Sequence, residues 1–317
     1  MDVVVPSFRR PTLLVRCLFA IAAQHHAPAR VIVVIRTDDH DSKRALRDLG
    51  IARDSLEVIE VQTPGVLAAM AAGIAASASP VVAFTDDDAS PRPDWLARIV
   101  AHFDEPTIGG VGGRDVVPGQ DVPLTRSVGR FTRVGKLIGN HHLGTGPPRD
   151  VEVLKGVNMA FRAEALALPA PGVLRGDGAQ VDFEVLACAW ARQQGWRLVY
   201  DPAVLVDHEG SPRHGADDRI QPTPQAIYDA AYNSIVAATV LDGSMPLRRM
   251  TYPLIVGSRD RPGIVRGAVA LGRGEREVLA RLRPALSGRV AALRIRRSMI
   301  GAPQSTVVTA ISLRERI

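Results

Sequence analysis

Short apolar runs alternate with helical periodicity along the first hundred residues. Residues 2–5, 31–35, 56–61 and 81–84 are mostly unbroken apolar stretches and read as buried strands. Between the first two, Leu14, Cys17, Leu18 and Ile21 recur at helical spacing over about 13–24, with Thr12 as N-cap. Ser42 is placed to cap a short helix ending at Leu49. Thr63-Pro64-Gly65 turns into an Ala-rich helix over about 65–77, and another helix begins at Asp94 and runs to about 103. This strand–helix alternation predicts an α/β fold with a parallel central sheet flanked by helices.

The pattern loosens afterwards. The glycine run at 109–113 reads as a tight strand or turn. Residues 118–150 have weak periodicity and read as a long excursion over a site rather than a folded unit. Strands are expected at 151–154, 159–161, 198–200 and 204–206, with a short helix at 163–168. A helix over about 180–194 ends at Gly195, which suits a C-cap. From Ile227 the pattern is helical, with Ile227, Ala230, Ala231, Ile235 and Ala238 on one face. Residues 246–300 read as amphipathic helices broken at Pro253, Pro262 and Pro284.

Ligands of parallel α/β sheets bind at the carboxyl ends of strands. The polar loops at 6–10, 36–41, 62–65 and 86–88 all fall there. The last of these is Asp86-Asp87-Asp88. Alone, such a triplet reads as a solvated acidic loop. At the end of a buried strand it becomes a candidate site for a hard divalent cation, which takes carboxylate oxygens.

Composition narrows the setting. The chain has 317 residues and is 46% hydrophobic, enough for a sizeable core. Cys17 and Cys188 form neither a disulfide framework nor a zinc pattern. No signal-peptide pattern opens the chain and no long uninterrupted apolar run occurs, so the expectation is a cytoplasmic protein. The net charge of +6 is unevenly spread. From Pro246 onward, fifteen Arg and Lys face four Asp and Glu, a net of +11, which leaves −5 for residues 1–245. A basic tail on a mildly acidic body suggests an anionic partner for the tail.

Several segments, in order, resemble family-2 glycosyltransferases. Val3-Val4-Val5-Pro6-Ser7-Phe8-Arg9-Arg10 is similar to that family's opening strand and loop. Asp86-Asp87-Asp88 resembles its Asp-x-Asp motif, and Lys155-Gly156-Val157-Asn158-Met159-Ala160 its Gly-x-Asn-Met-Ala segment. Asp182-Phe183-Glu184 followed by Gly195-Trp196 resembles its acidic helix start and the Gly-Trp stretch after it. His208 sits where the family often has a histidine. The resemblance covers about residues 2–215. It implies a GT-A fold in a domain of residues 1–215, with a nucleotide-binding part (about 1–115) and an acceptor part (about 116–215). Residues 216–317 then form a basic amphipathic helical extension.

The resemblance also implies roles. The reaction would be an inverting transfer of a sugar from a nucleoside-diphosphate sugar to the hydroxyl of a sugar, lipid-linked or glycan acceptor, in cell-surface glycan or glycolipid synthesis. Mg²⁺ or Mn²⁺ would be held by Asp88 and His208. Asp86 would contact ribose or donor sugar; Asp87 would point away if the backbone stays extended, or join the nucleotide-sugar site, since the register of the triplet, and with it which of Asp86–Asp88 holds the metal, is open by one residue. Pro6, Phe8, Arg10, Asp38 and Arg213 would complete the donor site. Asn140, His141, His142, Lys155 and Asn158 would lie on the acceptor side. Inversion needs a base for the acceptor proton. Glu184 and Asp182 both qualify, with Glu184 favoured.

The basic extension suits three uses: a cap on the domain, a homodimer contact, or a peripheral anchor on an anionic membrane at the inner face of the cell membrane. Three other functions fit less well. An oxidoreductase would need Gly-x-Gly-x-x-Gly where Pro6-Ser7-Phe8-Arg9-Arg10 stands. A nucleotidyltransferase would need a Gly-rich basic loop in the same place. For a nucleic-acid binder, Tyr252 is the tail's only aromatic residue, too few for base stacking, so no nucleic-acid partner is expected.

Overall fold

The structure, a computed structural model, describes residues 1–49, 56–119, 122–210, 222–240 and 250–294. The first half alternates β1 (Asp2–Ser7), α1 (Pro11–Ala22), β2 (Arg30–Arg36), α2 (His40–Asp48), β3 (Leu56–Val61), α3 (Val66–Ala76), β4 (Val81–Thr85), β5 (Ala89–Pro91), α4 (Trp95–His102) and β6 (Ile108–Val116). A small hairpin, β7 (Arg130–Phe131) and β8 (Leu137–Ile138), follows, then β9 (Arg149–Asp150), β10 (Asn158–Arg162), α5 (Phe183–Gln193) and β11 (Arg197–His208). The chain continues through α6 (Pro224–Val240), a π-helical turn (Tyr252–Val256), α7 (Ile264–Arg273) and α8 (Arg276–Leu293).

The main sheet runs β3-β2-β1-β4-β10-β6-β11-β5, with β9 beside β11. Strands β1 to β4 pair in parallel. β10 is antiparallel to both neighbours, while β11 runs parallel to β6. The cores of β1, β2 and β4 are unbroken apolar runs because both faces are covered, while β3 at the sheet edge carries Glu57 and Glu60. Val3, Val5, Val33 and Ala83 pack with Leu14, Ile21 and Ile99 on one side. Val4, Ile32, Val34 and Phe84 pack with Met70, Leu186 and Ile235 on the other. The carboxyl ends of β1, β2, β3, β4, β6 and β11 therefore share one edge, and antiparallel β10 brings Asn158, its first residue, there too.

Several local expectations change. Arg10, not Thr12, is the N-cap of α1, because Pro11 fills the first helical position, where no N–H partner is needed. Asp39, not Ser42, caps α2: its Oδ1 accepts the Ser42 N–H at 3.1 Å. Residues 109–113 lie inside β6. A Cβ on Gly110 would stand 2.8 Å from Leu198 Cδ2 and 2.9 Å from Phe161 Cδ1, so tight packing, not a turn, selects glycine. The strand expected at 151–154 lies earlier, in β9, and 163–168 is a turn in which the Ala165 and Leu166 N–H groups both reach the Arg162 carbonyl. The strands expected at 198–200 and 204–206 are one strand, β11, with a register shift between Asp201 and Leu205, around Pro202. Pro284 lies inside α8 without ending it.

The C-terminal helices are packed, not appended. Tyr232, Ile235 and Val236 of α6 belong to the core that contains Phe84 and Phe161. Gly288 of α8 lies so close to the Tyr228 carbonyl that a Cβ would not fit.

Candidate active site

The site begins with a reversal of the chain. After β4 the backbone turns through Asp86, Asp87 and Asp88 and returns as β5, which pairs antiparallel with the end of β11, placing Ala89 opposite His208. His208 Nε2 consequently lies 3.3 Å from Asp88 Oδ1. Ligand atoms of Asp86, Asp88 and His208 lie within 4.8 Å of one another. Asp87 faces elsewhere: it accepts hydrogen bonds from Ser7 Oγ (2.7 Å) and Arg10 Nη1 (2.8 Å). Burial pushes its carboxyl up to about 6, against the opposing pull of Arg10. Arg10 also reaches Asp88 Oδ2 at 3.3 Å, so it ties the loop after β1 to the acidic turn.

Two carboxylates and an imidazole converging on one point form a donor set suited to Mg²⁺ or Mn²⁺. The other nitrogen of His208, Nδ1, lies 3.6 Å from Asp115 Oδ2, as the outer partner of a metal-ligating histidine usually does. Burial by itself lowers the His208 pKa, but Asp115 and Asp88 outweigh it and lift the ring to about 9. A cation at Nε2 would have to displace a proton, so its binding would weaken as pH falls. Asp115, fully buried near the end of β6, also pairs with Lys155 Nζ. His208 and Lys155 hold its carboxyl below the usual range although burial opposes them. Sequence reasoning missed Asp115. Reading 109–113 as a tight strand or turn left out the continuation of β6 to Val116, which puts Asp115 near the strand's carboxyl end.

A cleft of about 1000 Å³, open mouth included, runs over the ends of β1 to β4 and is lined by Pro6, Phe8, Arg10, Thr63, Val66 and Asp86 among others. The guanidinium groups of Arg9 and Arg36 lie 4.9 and 5.2 Å from the Phe8 ring centre. Asp38 is exposed beside this stack, 3.0 Å from Arg36 Nε and 3.5 Å from Arg9 Nη2, and does not line the cleft. Its neighbour Asp39 is buried and accepts the Arg9 N–H at 2.5 Å, which holds Arg9 at a φ of 56°.

A second cleft meets the first at Pro6, Val66, Asp86 and Ala179. Glu184, in the first turn of α5, lines it with Lys155, His141 and His208. Gly156 leaves the space: a Cβ there would stand 3.2 Å from Glu184 Oε1. Burial raises the Glu184 pKa to about 7, and the charges of Asp182 and Asp86 add to the rise. Asp182, the N-cap of α5 with φ 72°, also borders this cleft but is engaged on its far side. Its Oδ2 accepts from Ser234 Oγ (2.6 Å) and Arg261 Nη1 (2.9 Å).

The remaining candidates separate. His141 is buried, and Nε2 donates to the Val153 carbonyl at 2.9 Å; burial drops its pKa to about 4, so the ring is neutral. Asn140 (φ 50°) donates to the Ser127 carbonyl and, like His142, does not line the cleft. Asn158 is fully buried and clamps three elements: its Oδ1 accepts from Trp95 Nε1 at 2.8 Å and its Nδ2 donates to the Val204 and Arg114 carbonyls. Arg213 lies outside the described residues.

Comparison with known proteins agrees with this architecture. The model of the family described as Glycosyltransferase like family 2 matches residues 1–221. Glycosyltransferase AglE of Haloferax volcanii is 31% identical over 116 residues, a match covering 36% of this chain and only 38% of AglE. The mannosyltransferase PcManGT of Pyrobaculum calidifontis, solved with GDP-Man and Mn²⁺, superposes with a TM-score of 0.57 at 18% identity, covering 98% of this chain and 86% of that one. TarS 1-349 of S. aureus, solved with UDP-GlcNAc, gives 0.59 at 14% identity over 90% and 80%. The fold is GT-A.

Proposed function

The chain belongs to glycosyltransferase family 2 and is a glycosyltransferase, and from that premise we propose that it moves a sugar, with inversion, from a nucleoside-diphosphate sugar to an acceptor hydroxyl. The observation that carries this reading is the meeting of two clefts at Asp86, one leading to Phe8 and Arg10 and the other to Glu184. In this reading Asp88 and His208 hold a divalent cation, Mg²⁺ or Mn²⁺, and Asp86 faces both it and the ribose or donor sugar. Such a cation, when bound, offsets as a Lewis acid the charge that builds on the departing diphosphate. Pro6, Phe8 and Arg10 shape the base and ribose site, with Asp38 at its rim.

Glu184 accepts the proton of the attacking hydroxyl at its carboxylate. A base with a pKa near 7 is about half ionised at neutral pH, and its carboxylate form is basic enough to draw the proton. Asp182 is held by Ser234 and Arg261, which favours Glu184 as the base. The test is a pair of variants assayed with nucleotide-sugar donors. Asp88→Ala should lose metal-dependent release of nucleoside diphosphate. Glu184→Gln should bind donor normally and lose transfer. NMR of the wild-type product should show the anomer opposite to the donor's. Retained configuration, or full transfer by both variants, would sink the mechanism.

The acceptor side also suggests where the protein works. No helix among the described residues is long and apolar enough to cross a membrane. Ile264 and Leu271 of α7 are nonetheless 63% and 70% exposed on an arginine-rich segment. Apolar side chains flanked by cations suit the surface of an anionic bilayer, and we assign α7 to peripheral docking at the inner face of the cell membrane.

A further inference from the structure

Arg261 reaches the Glu184 cleft from the helical region that follows β11. Its Nη1 donates to Asp182 Oδ2, 79 residues away in sequence, at 2.9 Å, and also to Ser234 Oγ of α6. Ser234 Oγ donates to the same Asp182 oxygen at 2.6 Å.

These two contacts turn Asp182 out of the usual role of its position. An aspartate at a helix N-cap ordinarily accepts an N–H of the first turn through its side chain. Asp182 stands at the N-cap of α5 with φ 72°, and its side chain makes no capping bond. A non-glycine residue in the left-handed region persists only where its surroundings fix it. Arg261 and Ser234 fix it on one side. On the other, the segment leading into α5 is fastened to α3: the Val66 N–H donates to the Gly178 carbonyl at 2.9 Å and the Leu67 N–H to Gln180 Oε1 at 3.0 Å. That second anchor does not involve Arg261, so loss of Arg261 releases Asp182 locally.

The uncapped first turn falls to Glu184. Its carboxylate accepts from its own backbone N–H and from that of Gly156. These bonds aim it into the cleft it lines with Lys155, His141 and His208. A released Asp182 carboxylate is free to swing back onto the first-turn N–H groups. It would then compete for the Glu184 N–H and bring a second negative charge against the Glu184 carboxylate.

We propose that Arg261 is a positioning residue for the base: by drawing the Asp182 carboxylate off the first turn of α5, it leaves the Glu184 N–H to Glu184 and keeps that carboxylate facing the cleft. The proposal rests on the reading of Glu184 as the base of glycosyl transfer. It makes the helical region after β11 a working part of the active site. The groups facing Glu184 are Asp182 beside it, Asp86, Lys155, His141, His208 and Arg261 around the cleft, and Cys188 one turn further along α5. Beyond the burial that lifts the Glu184 pKa to about 7, the charges of Asp182 and Asp86 add to the rise. Freeing Asp182 from its cation should therefore raise it further.

Carbon-13 NMR of the full chain, labelled at its glutamate carboxyls, tests this without turnover. One carboxyl should titrate near pH 7 and be missing from Glu184→Gln. In Arg261→Gln its midpoint should rise by roughly one pH unit. Arg261→Lys keeps the charge and should return it most of the way to wild type. Asp182→Asn should lower the midpoint, and in that background Arg261→Gln should no longer raise it, because the effect passes through Asp182. UDP and GDP, titrated with Mn²⁺, should bind Arg261→Gln as they bind wild type, since Arg261 lines the Glu184 cleft and not the donor cleft. If melting shows that Arg261→Gln does not fold, Ser234→Ala, which removes the other donor to Asp182, takes its place. A midpoint that stays put in the folded variants would overturn the positioning role, as would an equal rise with and without the Asp182 charge. Weakened UDP and GDP binding in Arg261→Gln would overturn it too, because it would mark a general loosening of the fold. The NMR titration needs neither donor nor acceptor, so a failure of sugar transfer sinks the reaction and leaves the coupling of Arg261 to Glu184 standing.

Discussion

Glu184 and Asp182 show how two carboxylates two positions apart acquire different duties. Asp182 caps α5 and is tied to Arg261, while Glu184 faces Gly156 across a cleft that lifts its pKa to about 7. A base works only when ionised, so at saturating metal kcat/KM should rise with pH and level off above about 7, falling about tenfold per pH unit below it. In Glu184→Gln that limb should vanish and transfer should drop by roughly 10²–10⁴; an unchanged limb would assign it to another group. Asp115→Asn removes the carboxylate behind His208, and the midpoint of Mn²⁺ titration should rise about 10–100-fold. The acidic turn was legible in the sequence because charge beside a buried strand is conspicuous, and His208 only through the family resemblance of its segment. Asp115 was not, because it looks ordinary until β6 is extended past its glycines. Asn158 was misleading in the other direction: its motif position suggested an acceptor contact, whereas its amide is spent on Trp95, Val204 and Arg114.

Among the elements, legibility followed the reach of the interactions that define them. β1, β2 and β4 were readable because two-sided burial forces unbroken apolar runs, α1 because it repeats at helical spacing and α3 because it is Ala-rich throughout; β3, at the sheet edge, alternates instead. The second half depends on packing that sequence does not display. β6 carries glycines because its neighbours leave no room for side chains, which makes a central strand resemble a turn. At Gly113 an added Cβ would collide with the Val204 carbonyl, which is backbone and cannot swing aside. Gly113→Ala should therefore lower the Tm by an amount equivalent to about 1–3 kcal/mol, while an equal Ala substitution at Gly172, open on all sides though at φ 83°, should cost only its backbone strain. Equal melting points would remove the packing account of β6.

For the whole molecule, the basic C-terminal region is at once scaffold and surface. Removing it to test membrane docking would also strip α8 from α6 and expose core around Tyr232 and Ile235, so docking is better probed in the full chain. Wild type should co-sediment with anionic vesicles more than with neutral ones, and Ile264→Gln with Leu271→Gln should reduce this without lowering the Tm; equal sedimentation on both vesicle types would refute docking. The chain path of the sheet has a kinetic side. Strands β1, β2 and β3 pair with near neighbours in sequence, whereas β5 must wait for the end of β11 to be made and folded. His208 lies at the end of that last strand, so the cluster of Asp86, Asp88 and His208 is complete only once β11 is in place. If the Asp86–Asp88–His208 cluster holds a cation as proposed, a chain lacking β11 would lose that capacity while keeping the loops after β1 to β4, so cation binding would report on completion of the sheet.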